Sequence, residues 1–425
     1  MPETIHAPAT APGRAGIAVV RISGPDADAI CERLAGTVPP PRLASLRTLR
    51  GEGGDPIDQA LVLRFAEGAS FTGEPVVEFQ VHGGPAIVRA VLAAIAGTGL
   101  SRPARPGEFT RRALDNGRLD LVQVHGLADA IEAETEMQRV AALRRLDGTA
   151  GARIRAWRAD LLHVASRLET TVDFSDEDLP DDVTAGLDAR LACLAASFDE
   201  ELAGYASARA LRSGFEVAVV GPPNVGKSSL INWISGRDVA IVTARPGTTR
   251  DVIEVRLDLR GLPVILLDTA GLREGEDEVE RIGIARAEAR AASAHLRVIL
   301  VRGDDPPSIA PRADDIVRRT HVDLDGGEGI SAIDGTGIPH LLDAIAERLA
   351  ARVGHDASIS RDYERDAIRA ALDHVGAARR GLDRAPVEIV LADLYAAIDA
   401  LRMVIGEVGV ERLLDEIFAS FCLGK

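Results

Sequence analysis

Hydrophobic positions change period several times along the chain, and those changes mark its organisation. Ala15 to Ile22 is an apolar run broken only by Arg21 and entered through Gly13 and Gly16, which predicts a buried strand. Ala60–Phe65 and Val76–Val81 predict further strands, and Gly83-Gly84-Pro85 opens an Ala-rich helix over 86–96. Beyond about residue 120 the period becomes helical. Ile154, Trp157, Leu161, Val164, Leu168 and Val172 recur every three or four residues, as one apolar helix face requires. The acidic stretch Asp173–Pro180 predicts a turn, and a second helical stretch covers 187–211. Phe215–Val220 is a short β-rich run. Helical spacing returns near Ile368, is clear in Leu391, Leu394, Ile398, Leu401 and Ile405, and continues through Leu414, Ile417, Phe418 and Phe421.

Read as architecture, this is a multidomain α/β plus α protein. Residues 1–118 form an N-terminal α+β domain. Residues 119–212 and 351–425 are two halves of one discontinuous helical domain, since neither half has an evident core alone. Residues 213–350 form an inserted nucleotide module with the P-loop, Ras-like order of elements. Composition narrows the setting. Hydrophobic residues at 46% and charged residues at 27% describe a globular chain of 425 residues, and no apolar run approaches the ~20 residues of a membrane span. The N-terminus shows no basic segment followed by an apolar one, so no secretory signal is read there. Cys31, Cys193 and Cys422 are too far apart for a metal-ligand spacing and predict a reducing, cytoplasmic setting without disulfides. A net charge of −16 argues against a dedicated sequence-blind nucleic-acid binder. It leaves room for local arginine patches or for binding shared with a partner.

Of the 49 basic residues only two are lysines, Lys227 and Lys425. The first closes Gly221-Pro-Pro-Asn-Val-Gly-Lys227-Ser228, a phosphate-binding loop between a strand and the helix starting at Ser228. Such a loop needs a compact point charge rather than a planar guanidinium fork. Asn224, Val225, Gly226, Lys227, Ser228 and Ser229 would cradle the phosphates through backbone N–H groups and the helix N-terminus, with the Ser228 hydroxyl on Mg²⁺. Further motifs follow in the order of a GTPase. Thr243-Ala-Arg-Pro-Gly-Thr248-Thr249 supplies a threonine to sense the γ-phosphate and Mg²⁺. The apolar run Val264–Leu267 leads into Asp268-Thr269-Ala270-Gly271, a carboxylate for the metal's water shell and a glycine N–H for the γ-phosphate. The base-reading motif is reduced to Thr320-His321-Val322-Asp323, in which Asp323 pairs with the guanine edge and His321 could stack on the base. Ser331-Ala332, followed by Gly335 and Gly337, resembles the last guanine-contacting loop. No glutamine follows Gly271, so another group must position the attacking water.

Taken with Pro12-Gly-Arg-Ala-Gly-Ile-Ala-Val-Val-Arg-Ile-Ser-Gly24, Arg105-Pro-Gly-Glu-Phe-Thr-Arg-Arg112, Asn116-Gly-Arg-Leu-Asp-Leu121, Asp277-Glu-Val-Glu-Arg-Ile-Gly-Ile284 and Phe421-Cys-Leu-Gly-Lys425, the chain resembles the MnmE (TrmE) family of tRNA-modification GTPases over its whole length. The resemblance implies an N-terminal domain that dimerises and binds 5-formyl- or 5,10-methylene-tetrahydrofolate. It implies a heterotetramer with the FAD-dependent MnmG (GidA) partner and modification of the tRNA wobble uridine with an aminomethyl or carboxymethylaminomethyl group. GTP hydrolysis would open and close paired G domains, with no membrane involved. Position by position, Asn224 matches a potassium ligand, and Thr243, Arg245 (through its carbonyl) and Thr248 fall on the loop that wraps that ion. Ser228 and Thr249 match Mg²⁺ ligands, and Glu280 matches the glutamate that orients the attacking water. Arg21, Glu78, Arg118 and Lys425 match folate contacts, and Cys422 a cysteine with a redox or nucleophilic role. Against the family pattern, Thr320-His321 replaces Asn-Lys, Leu296–Val317 lacks the usual apolar strand ending in aspartate, and Arg118 stands where many relatives carry lysine. Two other readings remain: a ribosome-assembly GTPase of the Era or Der kind, which would carry a basic RNA-binding domain, and a septin- or dynamin-like dimerising switch, which would not bind folate.

Overall fold

The computed structural model describes residues 3–173, 185–237, 239–241, 254–268, 289–354, 358–408, 411–419, 421 and 424. The chain divides into two compact units, residues 1–124 with 405–425, and residues 125–404.

In the first unit the apolar run becomes β2, Ile17–Ser23, with Ala18, Val20 and Ile22 buried. Around it lie β1 (Ile5–Pro8), β3 (Ser45–Arg50), β4 (Pro56–Phe65), β5 (Val76–His82) and β6 (Arg102–Pro103). The sheet order is β3-β4-β5-β2-β1-β6, antiparallel except for the β1–β6 pair. Helices α1 (Ala27–Ala35) and α2 (Pro85–Gly97) contribute Ile30, Val91 and Ile95 to a core with Val20, Val62 and Phe79. The spacing of 86–96 is thus realised as α2, with Pro85 at its first position, where the ring removes an N–H that has no helical partner. Helix α3, Glu108–Asp115, buries Phe109 against Ile5 of β1. The last helix, Glu411–Ala419, belongs to this unit and lies against α3. Its Phe418 ring sits 5.6 Å from that of Phe421, so the apolar face continues past the helix end.

The second unit begins within α4, Leu121–Glu132, and continues through α5 (Glu136–Leu146), α6 (Thr149–Asp173) and α7 (Leu187–Ser213). Thr135 and Gln138 form a capping box that starts α5, each side chain satisfying the other's backbone N–H. The 154–168 stripe is buried on α6, and Trp157 meets Phe198 of α7 edge to face at 5.0 Å. The predicted turn at 174–180 lies outside the described residues; Asp173 ends α6. Helix Asp362–Gly381 packs on α7, and Val387–Ile405 follows. Between these helices stands a five-stranded sheet of β7 (Phe215–Val220), β8 (Glu254–Leu259), β9 (Leu262–Asp268), β10 (Leu296–Arg302) and β11 (Ile316–Thr320). Its order is β11-β10-β7-β9-β8, parallel except for the β8–β9 hairpin.

The segment 296–317, which departs from an ordinary apolar strand, resolves into two strands. Arg297 is tolerated inside β10 because its guanidinium is paired with Asp315 and donates to the Ala310 carbonyl. A buried charge is acceptable only when neutralised in this way. No helix among the described residues is long and apolar enough to cross a membrane.

Candidate functional site

Strand order decides where a ligand can sit in the second unit. Strands leave β7 in opposite directions, to β9 on one side and β10 on the other, so the carboxyl end of β7 is a topological switch point. The loop 221–226 emerges there and runs into α8, Lys227–Ser235. Gly221 can carry no side chain: a Cβ would lie 2.7 Å from the Leu300 carbonyl oxygen, and its φ of +155° marks the turn. Asn224 adopts the left-handed region at φ 60° and is exposed, as the tight loop requires.

Lys227 is buried at the mouth of this loop and donates to the carbonyls of Gly221 at 2.7 Å and Pro222 at 2.9 Å. Burial lowers its pKa from the ordinary value while Asp268 pulls the other way. The ammonium is thus held by two loop carbonyls in a partly desolvated mouth. Ser228 Oγ donates to Asp268 Oδ2 at 3.0 Å, joining the first turn of α8 to the end of β9. A hydroxyl and a carboxylate side by side form the hard-oxygen donor set that Mg²⁺ prefers. Val225 is buried in the sheet core, whereas Ser229 faces out.

The base-reading candidates converge on the same place. His321 follows β11 in the left-handed region, φ 61°, and its Nε2 is buried without a hydrogen-bond partner. That nitrogen lies 3.8 Å from where a Cβ on Gly226 would be, so the loop after β11 meets the phosphate loop. Asp323 is exposed one turn on. Ser331 is buried, its backbone N–H donates to Thr336 and its hydroxyl accepts from Ile333, with Ala332 between them half-buried. Gly335 lies flat on α8: a Cβ there would come within 2.2 Å of Trp233 Cζ2. Trp233 is stacked in turn by the Arg237 guanidinium, 4.1 Å from the ring centroid. The structure therefore brings Asn224 to Ser229, Asp268, His321 and the 331–337 loop to one end of the sheet. Thr243, Arg245, Thr248, Thr249, Thr269, Ala270, Gly271 and Glu280 lie outside the described residues. The motif reading passed over Trp233 and Arg237, whose four-residue spacing at the end of an amphipathic helix was the available signal.

The first unit holds a second constellation. Arg21 and Glu78 face each other across β2 and β5, joined at 2.8 Å. Arg21 lies 5.8 Å from the Phe71 ring and 5.7 Å from that of Phe109, and it also donates to the Gly424 carbonyl at 3.3 Å. The C-terminal tail thus reaches the same arginine. Arg118 is exposed beside the loop that carries Phe71, its stem 3.3 Å from where a Cβ on Gly73 would be. Cys422 and Lys425 lie outside the described residues. Beneath this face runs a polar chain that single motifs do not reveal. Ser23 bonds Thr72 and Glu74, Arg112 binds Glu74 and Glu108, and Glu108 accepts from both terminal guanidinium nitrogens of Arg102. Burial raises the pKa of Glu108, but Arg102, the Arg105 N–H and Arg112 outweigh it and hold the carboxyl at about 2.

Comparison with known proteins assigns these two halves to the same family. The model of the MnmE helical domain matches residues 121–422, and that of the GTP-binding protein TrmE N-terminus matches residues 4–118. A tRNA modification GTPase MnmE of Roseobacter denitrificans is 49% identical over all of both chains, and that of Dinoroseobacter shibae 48% identical over the same span. Among solved structures, the match to the G domain of the T. maritima FeoB iron transporter covers 32% of this chain and 98% of that one at 24% identity, with a TM-score of 0.23. The matches at nearly half identity run from end to end, across phosphate loop, sheet and both helical halves, and the chain accordingly belongs to the MnmE family of tRNA modification GTPases.

Proposed function

We propose that this GTPase hydrolyses GTP with potassium as an electrostatic partner. In this reading it works in the cytoplasm as a homodimer with an FAD-dependent partner, and modifies the tRNA wobble uridine with a one-carbon unit from a reduced folate. The observation that carries the nucleotide half is the junction of Lys227, Ser228 and Asp268 at the switch point of the sheet. Lys227 exchanges its two carbonyl partners for β- and γ-phosphate oxygens. Ser228 and Thr249 would hold Mg²⁺, with Asp268 on its water shell, and that ion would supply charge neutralisation at the phosphates. Asn224, exposed on the loop, would hold potassium with Thr243, Arg245 and Thr248. A monovalent cation beside the phosphates performs the electrostatic task of an arginine finger. Glu280 is assigned the positioning of water, and Asp323 the guanine edge.

The folate half rests on Arg21, Glu78 and Arg118, with Lys425. A carboxylate suits the amino edge of a pteridine, guanidinium groups suit the glutamate tail, and Phe71 offers a ring beside them. Initial rates of GTP hydrolysis in potassium and in sodium buffer, with ATP as competitor, test the first half. The expectation is strong potassium stimulation with little ATP turnover. Equal rates in both salts, or indifference between GTP and ATP, would remove the ion loop or the base reading. Titration of 5-formyl-tetrahydrofolate into the protein and into Arg21→Ala tests the second. Unchanged affinity in the variant would overturn it.

A further inference from the structure

Helices α4 to α7, with Val353, Gly354, Ser358 and Ser360, line a cavity of about 440 Å³ that includes none of the nucleotide-loop or folate-face residues described above. Met137, Val140, Ala141 and Leu211 give it an apolar lining, and Arg145, Arg212 and Ser360 give it donors. The volume is that of a small-molecule site with an apolar body and a few convergent polar groups.

The charges around the wall are unevenly paired. Arg145 donates to Glu364 at 2.7 Å and to Ser360, and Arg361 donates to Asp129 at 2.8 Å. Glu364 is further occupied by the N–H groups of Ser360 and Arg361. Both carboxylates are therefore taken. Among the described residues no hydrogen bond or ion pair engages the Arg212 guanidinium. Its Nε is buried without a hydrogen-bond partner, as are those of Arg361 and of Arg145, the latter 3.9 Å from Asp129 Oδ2. His125, bonded to Tyr363, adds no cation, because burial and the neighbouring arginines keep it neutral. The other charged lining residues have partners of their own: Glu136 pairs with Arg139, Arg153 with Glu201, Asp147 accepts from the Thr149 N–H, and Glu132 and Arg144 are likewise engaged. The lining as a whole carries as many carboxylates as guanidinium groups, but none of them contacts Arg212 directly, and burial and the neighbouring Arg361 disfavour its charge while Asp129 and Glu364 offset this only in part.

We propose that this cavity binds a small anion with an apolar body, its carboxylate or phosphate oxygens on Arg212 and its body along Met137, Val140, Ala141 and Leu211. Bidentate pairing is what an unengaged guanidinium offers such a head group. Isothermal calorimetry on the full chain, with octanoate, octyl phosphate and inorganic phosphate as probes, tests it. Saturable binding of octanoate or octyl phosphate is expected, at least tenfold tighter than inorganic phosphate; which of the two binds more tightly identifies the head group. Arg212→Ala, which removes no ion pair, should weaken binding at least tenfold. Ala141→Leu, which fills the cavity without touching charge, should do the same while GTP binding persists. Absence of saturable binding of both octyl probes would overturn the proposal. So would equal affinity for octyl phosphate and inorganic phosphate, or affinities unchanged in both variants.

Discussion

Glu108→Gln isolates the electrostatic term that holds the first unit's polar face in place. The Glu108 carboxylate accepts from Arg102 at 2.6 and 2.8 Å, from the Arg105 N–H at 2.8 Å and from Arg112 at 3.1 Å. Its pKa falls from 4.5 to about 2 on folding. A group depressed in the native state stabilises it above the unfolded pKa and loses that contribution as pH falls through the folded one. At 1.36 kcal/mol per unit, the shift corresponds to about 3 kcal/mol at neutral pH and roughly 1.5 kcal/mol at pH 3. The amide variant removes the charge and leaves Arg102 and Arg112 facing a neutral partner. It should therefore unfold about 3 kcal/mol more easily than the parent at pH 7, with the gap at least halved at pH 3. Urea unfolding across pH 3–7 measures the gap, and hydrogen exchange in the peptide spanning 102–115 assigns the transition to this unit. A gap that stays constant over that range would refute the electrostatic account and leave only packing.

Lys227→Ala should lower the GTP hydrolysis rate by roughly two orders of magnitude, since it removes preorganised charge at the phosphates. Circular dichroism should stay unchanged, because the ammonium bonds only two loop carbonyls. Gly335→Ala should weaken a fluorescent GDP analogue at least tenfold, because a Cβ 2.2 Å from Trp233 at φ +83° must lift the loop from α8. Strain of that kind is worth about 1–3 kcal/mol. Asp323→Asn should move nucleotide preference from guanine toward xanthine, since the amide N–H₂ meets the guanine 2-amino donor unfavourably but can donate to the xanthine 2-carbonyl; comparing GTP and XTP affinities checks it.

The elements with strong periodicity were legible before any coordinates. The stripe from Ile154 to Leu168, the run into β2 and the strand–loop–helix around Lys227 each carry a local pattern that has one cheap solution. Short elements were not legible. The four residues of β1 and the two of β6 carry no period, and they exist because neighbouring strands supply their partners. The strand, loop and helix around Lys227 follow from residue order alone, and residue order also supplies the candidates at 320–323. What tertiary structure decided is convergence. His321 against Gly226, Gly335 on Trp233, Arg21 between Phe71 and Phe109, and an unpaired Arg212 beside a cavity all join positions distant in the chain. Local sequence can state which groups a chain carries. Only the closing of loops over a packed sheet or helix pair, with the desolvation that follows, sets which charges meet and which are left without a partner.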